Sequence, residues 1–234
     1  MKKMTWMQHF AELRRRVLWT VAVFVIGFGV GWAVAPVALT WMTGPLMAVW
    51  PDGNLLYTGL TDGLMVRFSL ATLIGLLVTA PMALGQLWAF VAPGLHAHER
   101  RVVWPILVLS PVLFVMGAAF AFYILFPTVF RFFMELNLDA TVPTIVMPVT
   151  RDYVSFVIGL LKVFGIAFQL PLLMVLFNRA GILSRGAVVR ARRYAIVGII
   201  IVAAILTPPD VVSQLLLALP LWGLFEVGIF FLRD

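Results

Sequence analysis

The chain has 234 residues, of which 63% are hydrophobic and only 12% charged, and its mean hydropathy is +1.06. A soluble domain of this length carries about 25% charged residues, so the composition excludes a water-facing fold and defines an integral membrane protein, expected to be all-α from the length of its apolar spans. The formal charge is +7 and there is no cysteine, which removes disulfides, thiolate catalysis and Cys-based metal sites.

The N-terminus imitates a secretory signal, with "MKK", an apolar run and "AVA" at 33–35. Its basic block extends to Arg16, the apolar run exceeds the usual length of roughly 7–15 residues, and Pro36 follows the would-be cleavage site. It reads as a retained first span. A spanning helix needs about 20 mostly apolar residues. Segments at about 17–35, 66–92, 102–126 and 153–177 meet that length. Two more lie at about 194–206 and 211–232, separated by "TPPDVVSQ". The expected architecture is one transmembrane domain, residues 1–234, with six helices. The alternative for the last two is a re-entrant pair. The fifth apolar segment covers only part of the hydrocarbon layer, which is compatible with an ordinary hairpin or a thinned membrane. Residues 36–65 and 127–152, rich in Pro, Gly, Thr and Asp, are expected to form long outer loops of turns or short surface helices. Prolines at 81, 105, 111, 171 and 220 are expected to kink the spans into a concave cup.

Basic residues set the orientation. With a cytoplasmic N-terminus, 13 of the 17 lysines and arginines fall on the cytoplasmic side. Both termini are therefore expected in the cytoplasm.

Few polar residues interrupt the spans: Gln86, Lys162, Gln169, Gln214 and Glu226. Each is costly in hydrocarbon and should face protein or water. Lys162 and Gln169 are seven residues apart, two helical turns, so they are expected to share the wall of a polar groove. Gln169 could equally hydrogen-bond a neighbouring helix, and Glu226 could partner Lys162 or be protonated. The histidines at 9, 96 and 98 flank spans without ligand spacing, so no metal or other cofactor is expected. At the basic cytoplasmic rim two acids stand out, Glu12 in "HFAELRRR" and Glu99 in "LHAHERR". Glu12 is spaced to pair with Arg16 at i,i+4, and Glu99 could pair with Arg100 or Arg101. Either could instead accept the forked donors of an external arginine pair.

Several stretches carry a resemblance along nearly the whole chain. They are "HFAELRRRV", "GPL" at 44–46, "APMALGQLWAFVAPGLHAHERR", "FGIAFQLP" and "LTPPDVVSQ". In order, they resemble the TatC family, the multi-span core subunit of the twin-arginine protein translocase. The resemblance implies a receptor for signal peptides with paired arginines. Such a receptor helps to export folded proteins across the cytoplasmic membrane, using the proton gradient, with single-span TatA and TatB subunits. It also implies contact with membrane lipids, self-association within the receptor complex, and no nucleic-acid partner. Carried over by motif, Glu12, Arg14, Phe90, Pro93 and Glu99 would bind the signal peptide. Thr207 and Gln214 would dock the partner subunits, and Pro45 and Asp210 fall in further matching motifs. Where the family often carries a glutamate this chain has Gln169, which keeps hydrogen bonding but cannot titrate.

Two other functions compete. A small secondary transporter would use Lys162, Glu226 and Gln169 as a substrate path, but no repeat relates the two halves and Glu12 and Glu99 would be left without a role. An intramembrane enzyme would need a Ser-His, paired-Asp or metal-ligand arrangement, and the spans show none.

Overall fold

The computed structural model describes residues 6–50, 54–91, 100–138, 147–207 and 211–233. Among these the chain is almost wholly helical: α1 (Trp6–Val49), α2 (Asp62–Val91), α3 (Arg100–Phe120), a π-turn (Ala121–Leu125) and α4 (Phe126–Leu138). They are followed by α5 (Thr150–Ala167), α6 (Leu170–Arg179), α7 (Arg185–Leu206) and α8 (Val211–Phe230). Among the described residues, five segments are long and apolar enough to cross a membrane: Phe10–Val49, Asp62–Gln86, Val108–Glu135, Thr150–Arg179 and Val211–Phe230. Their surfaces carry exposed Val25, Ile26, Val78 and Phe230, as helices facing lipid should.

The expected outer loops are shorter than their composition suggests. Helix α1 runs through Pro36 and Pro45 to Val49, and residues 126–138 continue the third span as α4. A proline inside a helix leaves the carbonyl four residues earlier without its N–H. For Pro36 that carbonyl belongs to Trp32, and Arg67 Nε donates to it at 3.0 Å. The Arg67 guanidinium also lies 4.9 Å from the Trp32 ring centroid. One buried-side cation thus satisfies the freed carbonyl, and the helix continues. At Pro127 the helix widens instead: the Phe126 N–H reaches Ala121 O, closing a π-turn, a usual answer to a disrupted ladder. At Pro171 the helix breaks, α5 ending at Ala167 and α6 starting at Leu170.

Close helix packing uses small residues, as expected where lipid removes the drive to bury apolar surface. A Cβ on Gly31 would lie 2.8 Å from the Ala71 carbonyl oxygen, and one on Gly117 would lie 2.4 Å from that of Phe164. The main core gathers Met42, Leu46, Leu70, Phe126, Leu160 and Phe164, all essentially fully buried.

The two ends of the bundle differ. At one, the segment after α1 is tied to the start of α5: Leu56 N–H donates to Pro148 O at 3.1 Å and Thr150 N–H to Leu56 O at 2.9 Å. Tyr153 OH also donates to Met42 O at 2.6 Å. At the other, α6 closes through Gly181 at φ 70°, with Ile182 N–H on Phe177 O. Ser184 Oγ then caps α7 by accepting from Ala187 N–H. Asn178 bonds the backbone of Arg233 in both directions, at 3.0 Å each. The ends of α6 and α8 therefore share one side, and α7 must run the length of the bundle to reach the start of α8. Helix α7 has 22 residues because it begins nine positions before the apolar run at 194. Arg185, Arg190, Arg192 and Arg193 occupy that extension, which hydropathy alone reads as loop.

Candidate functional site: a glutamate on a basic rim

Glu12 lies on the first turns of α1, where successive arginines leave little choice of partner. Arg16 donates to Glu12 Oε1 from Nε at 3.1 Å and Nη2 at 2.5 Å. Its Nη1 crosses to α2 and meets Gln86 Oε1 at 2.7 Å and Gln86 O at 3.4 Å. The local i,i+4 pair therefore forms, and Gln86 fixes it from outside. Only one carboxylate oxygen is used. Glu12 Oε2 is buried without a partner among the described residues, beside a cavity of about 370 Å³ lined by Glu12, Arg15, Arg16, Trp19, Met82 and Gln86. A buried acceptor with a lone pair to spare, in a side chain that lines a cavity, can take a further donor.

The other expected residues divide. Arg14 is exposed and lines a second cavity on another face of α1, with Ala11, Leu18 and Ala22. Phe90 lies on α2 one turn beyond Gln86, but its side chain, Pro93, Glu99 and Asp210 lie outside the described residues. Pro45 sits near the far end of α1, beside fully buried Leu46. Thr207 is buried and donates to Ala203 O at 2.9 Å, while Gln214 Nε2 donates to Ile200 O at 3.1 Å. Both are engaged within the α7–α8 pair. Gln86 was visible in the sequence as a span-embedded amide, yet its role depends on the α1–α2 crossing, which spacing does not give.

The expected groove shared by Lys162 and Gln169 does not form. The helix break at Phe168–Gln169 ends the register that would put them on one face, and Gln169 turns inward. Its Nε2 donates to Ser110 O at 2.8 Å and its Oε1 accepts from Ser110 Oγ at 2.6 Å. Glu226 pairs with Arg192 at 2.7 Å, not with Lys162. Gln169→Leu strands the buried Ser110 hydroxyl, a loss of about 1–3 kcal/mol. Adding Ser110→Ala is expected to recover much of it, since apolar replacement of both partners is close to neutral. Thermal melting in detergent reads both, and equal melting of the single and double variants would refute the coupling.

A bundle of apolar helices with a charged pocket at one end defines the class of polytopic helical membrane proteins. The family model described as "Sec-independent protein translocase protein (TatC)" matches residues 8–220. The Sec-independent protein translocase protein TatC of Magnetococcus marinus is 36% identical over 97% of this chain and 83% of its own. That of Escherichia coli K12 is 38% identical over 96% and 86%, and that of Aquifex aeolicus 32% over 95% and 92%. A crystal structure of the twin-arginine translocase receptor TatC superposes with a TM-score of 0.86 at 32% identity, covering 95% of this chain and 97% of that one. A second, in DDM, gives 0.88 at 31% identity, covering 97% and 100%. The chain belongs to the TatC family. It is a multi-pass membrane component of a protein translocase and not an enzyme.

Proposed function

We propose that this chain is the receptor for twin-arginine signal peptides and the core subunit of a translocase exporting folded proteins across the cytoplasmic membrane, driven by the proton gradient. The observation that carries this reading is the buried Glu12 Oε2, without a partner among the described residues, in a side chain that lines the cavity. Arg16 and Gln86 hold the carboxylate in place, and the open oxygen accepts an arginine of the incoming peptide. Glu99, Phe90 and Pro93 complete the site by family motif. Arginine suits it better than lysine, because a fork of donors can share one oxygen while reaching a second acceptor. The test is binding of a twin-arginine peptide beside the same peptide with paired lysines: equal affinities would refute arginine recognition.

All six helical passes cross the membrane in this reading, α7 as the thinnest, with both termini cytoplasmic. The chain lacks cysteine, so cysteines introduced at Lys3 and Arg233 report cleanly. Both are expected to resist impermeant thiol reagents in intact cells, and labelling of either from outside would invert the topology. TatA and TatB dock at the outer turn of α7 and α8. Because Thr207 and Gln214 bond within that pair, they act by holding the surface in shape. Replacing both with leucine is expected to reduce copurification of those subunits and spare peptide binding; undiminished copurification would remove this site. The receptor complex also contains further copies of this chain and bound lipid.

A further inference from the structure

Arg67 carries more donors than the carbonyl it relieves can use. Its Nε donates to Trp32 O at 3.0 Å and its guanidinium lies over the Trp32 ring. Neither η nitrogen has a hydrogen bond or ion pair among the described residues. Helical rise places Trp32 about 24 Å along α1 from Arg16 at the cytoplasmic rim. With a hydrocarbon core of about 30 Å, the half-buried Arg67 sits just inside the outer edge of the core, within reach of the headgroup layer. Its surroundings open to lipid, since Gly63, Leu64 and Phe68 beside it on α2 are exposed. Towards the midplane, Trp32, Phe28 and Phe24 stand one turn apart on α1, with ring centroids 6.3 Å apart at each step. Phe68 meets Phe28 edge-on at 5.3 Å. A cation at this depth is costly without a counter-charge, and its free fork matches a phosphate bidentately.

We infer that Arg67 and this aromatic ladder bind an anionic phospholipid of the outer leaflet, its phosphate on the η nitrogens and one acyl chain along Phe28 and Phe68. Phosphatidylglycerol fits better than phosphatidylethanolamine, whose ammonium would need an acid of its own. The nearest acid along α2, Asp62, is buried and already accepts from the Thr58 and Gly59 N–H groups. The leaflet rests on the cytoplasmic N-terminus proposed above. External labelling of Lys3→Cys would overturn that orientation, and the outer leaflet with it, separately from the contact itself.

The full chain in phosphatidylcholine nanodiscs supplies the test, doped with phosphatidylglycerol that carries a photoactivatable diazirine in one acyl chain. Crosslinks mapped by mass spectrometry are expected between Phe24 and Trp32 and around Phe68. Arg67→Gln, whose amide can still donate to Trp32 O, is expected to lower that yield about tenfold, the loss of one charge-assisted contact. Gly63→Glu is expected to do the same with Arg67 intact. A side chain there meets open space, and a carboxylate four residues before an arginine pairs with it along the helix. An acid is also favoured in the first turn of α2, so this variant decides the case if Arg67→Gln does not fold. A yield unchanged in either folded variant, an equal yield from a phosphatidylcholine carrying the same diazirine, or crosslinks confined to the arginines of α7 would each overturn the proposal.

Discussion

Glu12→Gln is expected to weaken binding of a twin-arginine peptide at least about thirtyfold. Removing one partner of a desolvated charge pair costs about 2–5 kcal/mol, and each 1.4 kcal/mol is a factor of ten. The side chain is 21% exposed and Arg16 23%, so the pair sits between rim and interior. The amide keeps the shape of the carboxyl and can still accept from Arg16, so abundance and membrane insertion should hold. Glu12→Asp, shorter by one methylene, should retain part of the affinity. Were Glu12 engaged only by Arg16 in water, the change would be under about 1 kcal/mol. Titration in nanodiscs at low and high salt separates these cases. Unaltered affinity for Glu12→Gln would remove Glu12 from the receptor site. Glu99→Gln belongs in the same series, since family motif pairs it with Glu12.

The second large effect is structural. Gly117→Ala puts a methyl 2.4 Å from the Phe164 carbonyl oxygen and 2.8 Å from Phe168 Cγ. The nearest obstacle is backbone, so α3 and α5 must separate. Overpacking of this kind costs about 1–3 kcal/mol, and the shift also loosens the Ser110–Gln169 bonds between the same two spans. Gly29→Ala is the control. Nothing lies within 4 Å of its added methyl, and alanine in a helix interior gains about 0.5–1 kcal/mol over glycine. Melting in detergent should fall sharply for the first and hold or rise for the second. Equal melting would mean that the α3–α5 contact yields at little cost.

Much of this was legible in the residues. Hydropathy picked out the apolar stretches of the helices because lipid selects for long apolar runs, and the few polar residues within them marked positions needing a partner. It misplaced the ends of α1 and α7. Pro36 reads as a stop, but a residue 31 positions later, Arg67, relieves the carbonyl it frees. The arginines of α7 read as loop although its backbone bonds continue through them. At the site, the Glu12–Arg16 spacing gave the local pair. Gln86 completes it only through the crossing of α1 on α2, which depends on close approach at Gly31. Gln169 shows the converse failure: two-turn spacing from Lys162 implied a shared face, and Pro171 breaks the helix that would have provided it.

Glu12, Arg16 and Gln86 all belong to the hairpin of α1 and α2, and the hydrogen bonds that join them form within it. N-terminal segments fold first during synthesis. This corner of the pocket can therefore be assembled while the ribosome is still making the rest of the chain. Errors in later spans, such as a displaced α3, would then yield a protein that still recognises cargo but cannot pass it on. Such a product would sequester export substrates, a burden on the cell distinct from simple loss of the subunit.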